Sequence, residues 1–288
     1  MNTGPLVSVI IPTFNRCSVL GRAIESALKQ DYQNLEILII NDASGDSTET
    51  VVKSFDDPRI KYVLHEKNRG LAAARNTGIR NSSGEYITFL DDDDEWGYRK
   101  VRRQVQTFNH LDPKPGLIFT NGFSEYENGL IIRNKQGSGI AFDPGRDRFF
   151  PLRVLVSPPS SWMIPKAVVA DIGFFDEEMF NNWDDGDYLV RVSFKYQTYF
   201  LNENLVIWHA LANHVNMINE KLIRGKEVFL RKNLDAMKND ASYLFRFYRA
   251  MGKDTLKLDK KKARAFLLKA FRMRPLDLST IGKLSKTL

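Results

Sequence analysis

Four short apolar runs alternate with helix-patterned segments inside the first ninety residues, and this alternation constrains the fold more than any other feature. The runs are 7–11, 35–40, 60–65 and 85–90, rich in the β-branched and aromatic residues that strands favour. Between the first two, Leu20, Ala23, Ile24, Ala27 and Leu28 fall at helical spacing, and between the next two Val51, Val52 and Phe55 do the same. The third intervening segment, 68–78, carries Ala72, Ala73, Ala74 and Gly78, small enough for a helix to lie close on a sheet. This order predicts an α/β fold with a parallel sheet and right-handed crossovers. Open sheets of that kind bind ligands beyond the carboxyl ends of their strands. Here those ends are Thr13 to Asn15, Asp42, and Asp91 to Asp94.

The fourth strand end carries Asp91-Asp92-Asp93-Asp94-Glu95, followed by a helix pattern from Gly97 to His110 through Val101, Val105 and Phe108. Adjacent carboxylates repel one another, so folding them into one turn is costly unless cations compensate. Hard cations such as Mg²⁺ or Mn²⁺ take oxygen ligands, commonly one or two carboxylates with phosphates and water. A solvated acidic turn at the favourable N-terminus of the next helix is the competing explanation. The strand-end position favours the metal.

Other nucleotide motifs are excluded. The turn after the first strand, Pro12-Thr13-Phe14-Asn15, has no glycine, and a dinucleotide fingerprint needs three. Gly137 and Gly139 match the first two positions elsewhere, but Phe142 stands at the third, and no P-loop sequence occurs. Beyond His110, strands are expected at 116–120, 160–164, 198–201 and 205–208, with a polar, Gly-rich stretch over 124–148 that reads as a hairpin or lid. A second acidic cluster, Asn182-Trp183-Asp184-Asp185-Gly186-Asp187, opens a helix through 188–194, where helix capping by Asp184 or Asp185 is the plain alternative.

With 43% hydrophobic and 27% charged residues the composition is that of a soluble globular protein. No stretch is long and apolar enough to span a membrane, and no secretory leader is expected at the N-terminus. The one cysteine, Cys17, suits a reducing, cytoplasmic setting and reads as an ordinary helix residue. Charge is divided unevenly: residues 220–288 hold 19 Lys/Arg and 7 Asp/Glu, against 23 and 28 in the rest. A helical, basic C-terminal segment suggests an anionic partner, unless it is simply a solvated surface. Its two expected helices run from about 219, through Leu222, Val228, Phe229, Leu234 and Met237, and over 258–274.

Six segments in a fixed order carry a resemblance. They are 7–15, Ile39-Ile40-Asn41-Asp42-Ala43-Ser44, 68–76, Phe89-Leu90-Asp91-Asp92-Asp93-Asp94, Gly173-Phe174-Phe175-Asp176-Glu177, and Asp184-Asp185 ahead of Leu189-Val190-Arg191. Over residues 5–213 the chain resembles a family 2 glycosyltransferase of the GT-A fold, the bacterial type that builds surface polysaccharides. That resemblance implies a mostly parallel, Rossmann-like central sheet with flanking helices, in a catalytic domain over 1–218. Its nucleotide-binding half would cover about 1–115 and its acceptor-binding half about 116–218, with 219–288 as a helical basic extension.

It further implies a nucleotide-sugar donor, UDP-linked by family habit, a Mn²⁺ or Mg²⁺ cofactor, and inversion at the anomeric carbon. Pro12, Thr13 and Asn15 would flank the base and ribose, Asp42 would accept from the base, and Arg75 would hold the nucleotide pocket together. Asp91 and Asp93 match the outer acids of the family's D-x-D motif, with Asp92 between them and Asp93 as direct metal ligand. Asp184-Asp185 stands where the family usually has Glu-Asp, so either could be the base, with Asp185 the choice by alignment. His209 is a candidate further metal ligand, and His214 falls nearby.

The implied partners are a glycan or lipid-linked acceptor and, through the basic helices, the inner face of the cell membrane, but not nucleic acid. The same helices could instead pack on the catalytic domain or form a homodimer. A degenerate, binding-only relative and a sugar-phosphate nucleotidyltransferase are the alternatives, although the second would need a Gly-rich first loop.

Overall fold

The computed structural model describes residues 4–126, 131–133, 139–146, 158–179, 183–210 and 220–287. Asn182, His214, Gly137 and much of the 124–148 stretch lie outside the described residues.

The chain begins with β1 (Val7–Thr13), α1 (Cys17–Leu28), β2 (Leu35–Asn41), α2 (Thr48–Lys53), β3 (Ile60–Leu64), α3 (Leu71–Asn81) and β4 (Tyr86–Phe89). The four strands are mutually parallel in the order β3-β2-β1-β4, as the alternation predicts. Every residue of β1 and β2 is buried, the condition of a parallel strand covered on both faces. The chain moves outward from β1 to β3 and then returns to pair β4 on the other side of β1. This reversal opens a crevice at the carboxyl ends of β1 and β4.

One face is covered by α1 and by α4 (Lys100–His110), which pack Leu20, Ile24, Val101 and Phe108 against Val9, Ile11 and Tyr86. The opposite face takes α3. A Cβ on Gly78 would meet Ile10 Cγ2 at 2.3 Å, so only glycine lets this helix approach so closely.

The second half widens the sheet and mixes its directions. It holds β5 (Glu95–Trp96), β6 (Leu117–Tyr126), β7 (Ile131–Arg133), β8 (Gly139–Phe142), β9 (Trp162–Pro165) and β10 (Thr198–Ala210). β9 runs antiparallel between β4 and β6, β6 and β10 are parallel, and β7 folds back on β6 as a hairpin. The two strands expected over 198–208 are one strand, with register shifts between Leu201 and Val206 where the pairing slips. The acidic turn leads into β5 before α4 starts at Lys100, three residues later than its pattern suggests.

Helices α5 (Lys166–Ile172) and α6 (Asp184–Lys195) complete the second face. The C-terminal segment forms four helices rather than two: α7 (Glu220–Lys238), α8 (Ala241–Thr255), α9 (Lys260–Met273) and α10 (Leu278–Leu284). They are not a loose appendage. Phe229, Phe247, Met251 and Phe266 share one apolar cluster with Met179 and with Val190 of α6. No described helix is long and apolar enough to cross a membrane.

Candidate active site

A cavity of about 350 Å³ lies at the carboxyl ends of β1, β2 and β4. Pro12, Thr13, Asp42, Asp91, Asp92 and Asp93 all line it, so the three strand ends picked out by sequence converge on one place.

The four acids of the turn divide by environment. Asp94 turns inward, where it accepts hydrogen bonds from the Ser160 hydroxyl and the backbone N–H of His209. Burial, with Asp91 close by, pushes its proton affinity well up. Asp92 is also buried and is pushed up to about 7 by desolvation, against the pull of Arg16. Asp91 and Asp93 are the more open pair, with side chains 26% and 22% exposed. Asp92 does not point away from its neighbours: the Arg16 guanidinium bridges Asp92, at 3.3 Å, and Asp93. Arg22 adds bonds to the Asp93 carbonyl and to Glu95. The compensation that crowded carboxylates need is therefore partly supplied by arginines. Nor do the acids cap α4, whose N-terminal residue Arg99 makes no side-chain cap bond.

Arg75 joins the two acidic clusters. Projecting from α3 and buried, it donates to Asp91 at 2.8 Å and to Asp184, the first residue of α6, at 2.7 Å. Both carboxylates hold the guanidinium charged. The next residue, Asn76, donates to the Phe175 carbonyl at 2.9 Å and accepts from the Phe175 N–H at 2.8 Å, pinning that loop to the same helix. Asp184 is thus engaged by Arg75 and caps nothing. Asp185 is half-buried, accepts from the N–H of Gly186 at 2.7 Å, and has no ion pair among the described residues. Burial and the neighbouring Asp184 charge push it up to about 6.

On the β2 side the Asp42 carboxylate accepts from the N–H groups of Arg69 and Gly70 at 2.8 and 2.7 Å, and His65 Nδ1 lies 2.7 Å away. The contact expected with a nucleobase would have to share these oxygens. Asn15 does not line the cavity; its side chain accepts from the Gly45 N–H at 2.7 Å, stitching the β1 and β2 loops together. His209 stands apart from Asp91 and Asp93, with Nε2 2.7 Å from Glu95 and Nδ1 3.2 Å from Glu125.

Among the described residues no three His, Cys, Asp or Glu side chains converge as a metal cage. The donor set of Asp91 and Asp93 fits a hard cation that takes one or two carboxylates and completes its shell with phosphate oxygens and water. Sequence reasoning missed Arg16, Ser160 and His65. Only Arg16 left a signal, as a cation one residue past Asn15 at a strand end that had to face acids.

Comparison with known proteins gives the chain's family and fold. Residues 8–173 match the model of Glycosyl transferase family 2. The GalNAc(5)-diNAcBac-PP-undecaprenol β-1,3-glucosyltransferase of Campylobacter jejuni is 29% identical over 83% of this chain and 80% of its own. The Escherichia coli UDP-Glc:α-D-GlcNAc-diphosphoundecaprenol β-1,3-glucosyltransferase WfgD is 43% identical over 45% of this chain and 50% of its own. An uncharacterised glycosyltransferase of Rickettsia prowazekii is 35% identical over 61% of this chain, a match that spans only 55% of that relative's length. In structure, residues 1–349 of Staphylococcus aureus TarS in complex with UDP-GlcNAc superpose with a TM-score of 0.66 at 15% identity, over 98% of this chain and 90% of that TarS chain, which shows a shared fold. The chain belongs to glycosyltransferase family 2 and has the GT-A fold.

Proposed function

We propose that this chain transfers a sugar from a uridine diphosphate sugar to a hydroxyl of a glycan or lipid-linked acceptor, with inversion and with a divalent cation. The Arg75 bridge carries the reading. It binds one acid of each cluster to a single guanidinium, which leaves Asp185, the next residue of the second cluster, in no ion pair among the described residues. A general base needs an available lone pair and a pKa near the working pH; Asp185, in no ion pair and pushed up to about 6, meets both conditions. Asp184 then acts through Arg75, which ties the first turn of α6 to Asp91.

Asp91 and Asp93 would hold Mn²⁺ or Mg²⁺ together with the donor's diphosphate, and the bound cation would neutralise the departing nucleotide. His209 is left out of that set, because Glu95 and Glu125 already flank both ring nitrogens. TarS, which binds UDP-GlcNAc, and WfgD, named for UDP-Glc, support the choice of uridine donor. The undecaprenol-linked substrates in the relatives' names support a lipid-linked acceptor and a position at the cytoplasmic membrane surface.

The test is Mn²⁺-dependent release of UDP from a panel of UDP-sugars, with Asp185→Asn alongside. Asp185→Asn should bind UDP as the parent does and lose about 10²–10⁴-fold in turnover. Full turnover in that variant, or no release from any UDP-sugar, would remove the proposal.

A further inference from the structure

Asp185 follows a backbone position that no bulky residue adopts willingly. Trp183, the N-cap of α6, has φ 72 and ψ 6, in the left-handed region. Among the described residues only Asn15, Ala43 and Trp183 combine a side chain with a positive φ. All three flank the candidate site: Asn15 after β1, Ala43 directly after Asp42, Trp183 directly before Asp184. Such conformations persist where the surroundings over-determine them, and they gather at functional sites. Asn15 and Ala43 stand in the loops after β1 and β2, which bind each other. The Asn15 N–H donates to the Ser44 hydroxyl, and its side chain accepts from Gly45.

The contacts that hold Trp183 come from far along the chain. Its indole lies against Phe229 of α7, with ring centroids 5.1 Å apart, and edge-on to Phe247 of α8 at 5.5 Å. Phe229 and Phe247 also touch each other, at 5.7 Å, so the three rings form one aromatic corner. The ammonium of Lys226 stands 5.4 Å from the indole centre and is tied to Asp254 of α8 at 2.6 Å. The Trp183 carbonyl accepts from the Asp187 N–H at 2.9 Å, so the residue held in the corner also sets the first turn of α6. Asp184 and Asp185 occupy that turn.

We propose that Trp183 is a positioning residue, and that the C-terminal helices α7 and α8 form the seat that fixes the Asp184-Asp185 turn through its indole. The inference rests on Asp185 being the base. It gives the basic C-terminal segment, which lies beyond residues 8–173 of the family match, a part in catalysis separate from any surface it offers to a partner. The donor cavity is built without it, since Pro12, Thr13, Asp42 and Asp91 to Asp93 come from β1, β2 and the turn after β4. Loosening the seat therefore divides the two functions: the nucleotide still binds, and turnover falls.

The experiment compares Trp183→Ala, Trp183→Gly, Trp183→Phe and Phe247→Leu in the full chain. UDP affinity with Mn²⁺ is measured by calorimetry, turnover by UDP release from an accepted UDP-sugar, and amide exchange over 184–190 by mass spectrometry. Trp183→Ala is expected to lose about 10²-fold in turnover, the scale of a small misplacement of a reacting group. Its UDP affinity should stay within about twofold of the parent, while exchange over 184–190 rises.

Trp183→Gly permits the left-handed backbone but removes the ring, and it should fail as Ala does. Trp183→Phe restores an aromatic ring to the corner and should recover most of the turnover. Should Trp183→Ala not fold, Phe247→Leu, which thins only the wall behind the indole, carries the same expectation in weaker form. Parent-like turnover and exchange in the folded variants, or full activity in Trp183→Gly, would overturn the inference. Loss of UDP binding in the parent would count against the proposed function instead.

Discussion

At the scale of single residues, the two acidic clusters differ in how they handle charge. Asp184 is buried and bonded to Arg75, whereas Asp185 is held up to about 6 by burial beside Asp184. A base must be ionised, so turnover should rise with pH through about 6 and level off above it; a pH profile with saturating donor measures this. Asp184→Asn takes the charged partner from a buried guanidinium and should cost roughly 1.5–3 kcal/mol of stability along with activity, read by denaturant unfolding. Asp185→Asn, by contrast, removes a charge that burial and Asp184 disfavour, so it should not lower stability at neutral pH.

Which of the two aspartates is free was not legible in the sequence, because the deciding contact reaches back over a hundred residues to Arg75. The convergence of Thr13, Asp42 and Asp91 was legible, because strand ends in a parallel sheet have only one place to meet. The inward turn of Asp94 toward Ser160 was not, since that partner arrives on the later, antiparallel part of the sheet.

At the scale of elements, the helix–sheet contact under the cavity is the most tightly specified. α3 carries Arg75 and Asn76 on a turn next to Gly78, whose missing side chain admits Ile10. Gly78→Val should force the helix off β1, costing about 1–3 kcal/mol and weakening UDP binding together with turnover, which urea titration and calorimetry would show. This pattern of loss differs from that of the α7–α8 seat, where binding should survive.

Strands and helices of the first ninety residues were readable because strand and helix periodicities alternate cleanly there. α8 was not anticipated, although Leu244, Phe247, Tyr248 and Met251 fall on one helical face. Its short connections to α7 and α9 leave no strong breaker between them. β10 was divided in two because Asn202-Glu203-Asn204 interrupts the apolar alternation, and the sheet absorbs that interruption as a register shift.

At the scale of the whole molecule, the basic C-terminal segment is part of the packed body. Phe266 and Leu267 of α9 are buried, Phe266 in the apolar cluster that the C-terminal helices share with Met179 and Val190, and Leu267 against Gly252 of α8. Of the exposed apolar residues in this segment, which include Leu258, Leu268 and Ile281, the most open are Leu276 and Leu278, 91% and 82% exposed, at the α9–α10 corner and close in sequence to Arg272, Arg274 and Lys283. Apolar bulk beside clustered Lys/Arg is what anionic lipid would bind, so this corner is where such a contact is expected. Salt-sensitive co-sedimentation with anionic vesicles should weaken severalfold in a Leu276→Asp, Leu278→Asp double variant; unchanged sedimentation would assign the corner no such role.

The account depends most on the cavity at the ends of β1, β2 and β4 being a nucleoside diphosphate site completed by a cation on Asp91 and Asp93. Calorimetric titration of UDP with and without Mn²⁺, on the parent and on Asp93→Ala, tests this most directly. The expected result is UDP binding that Mn²⁺ tightens in the parent, with that tightening lost in Asp93→Ala. UDP binding that ignores Mn²⁺, or Mn²⁺ enhancement that survives Asp93→Ala, would contradict it.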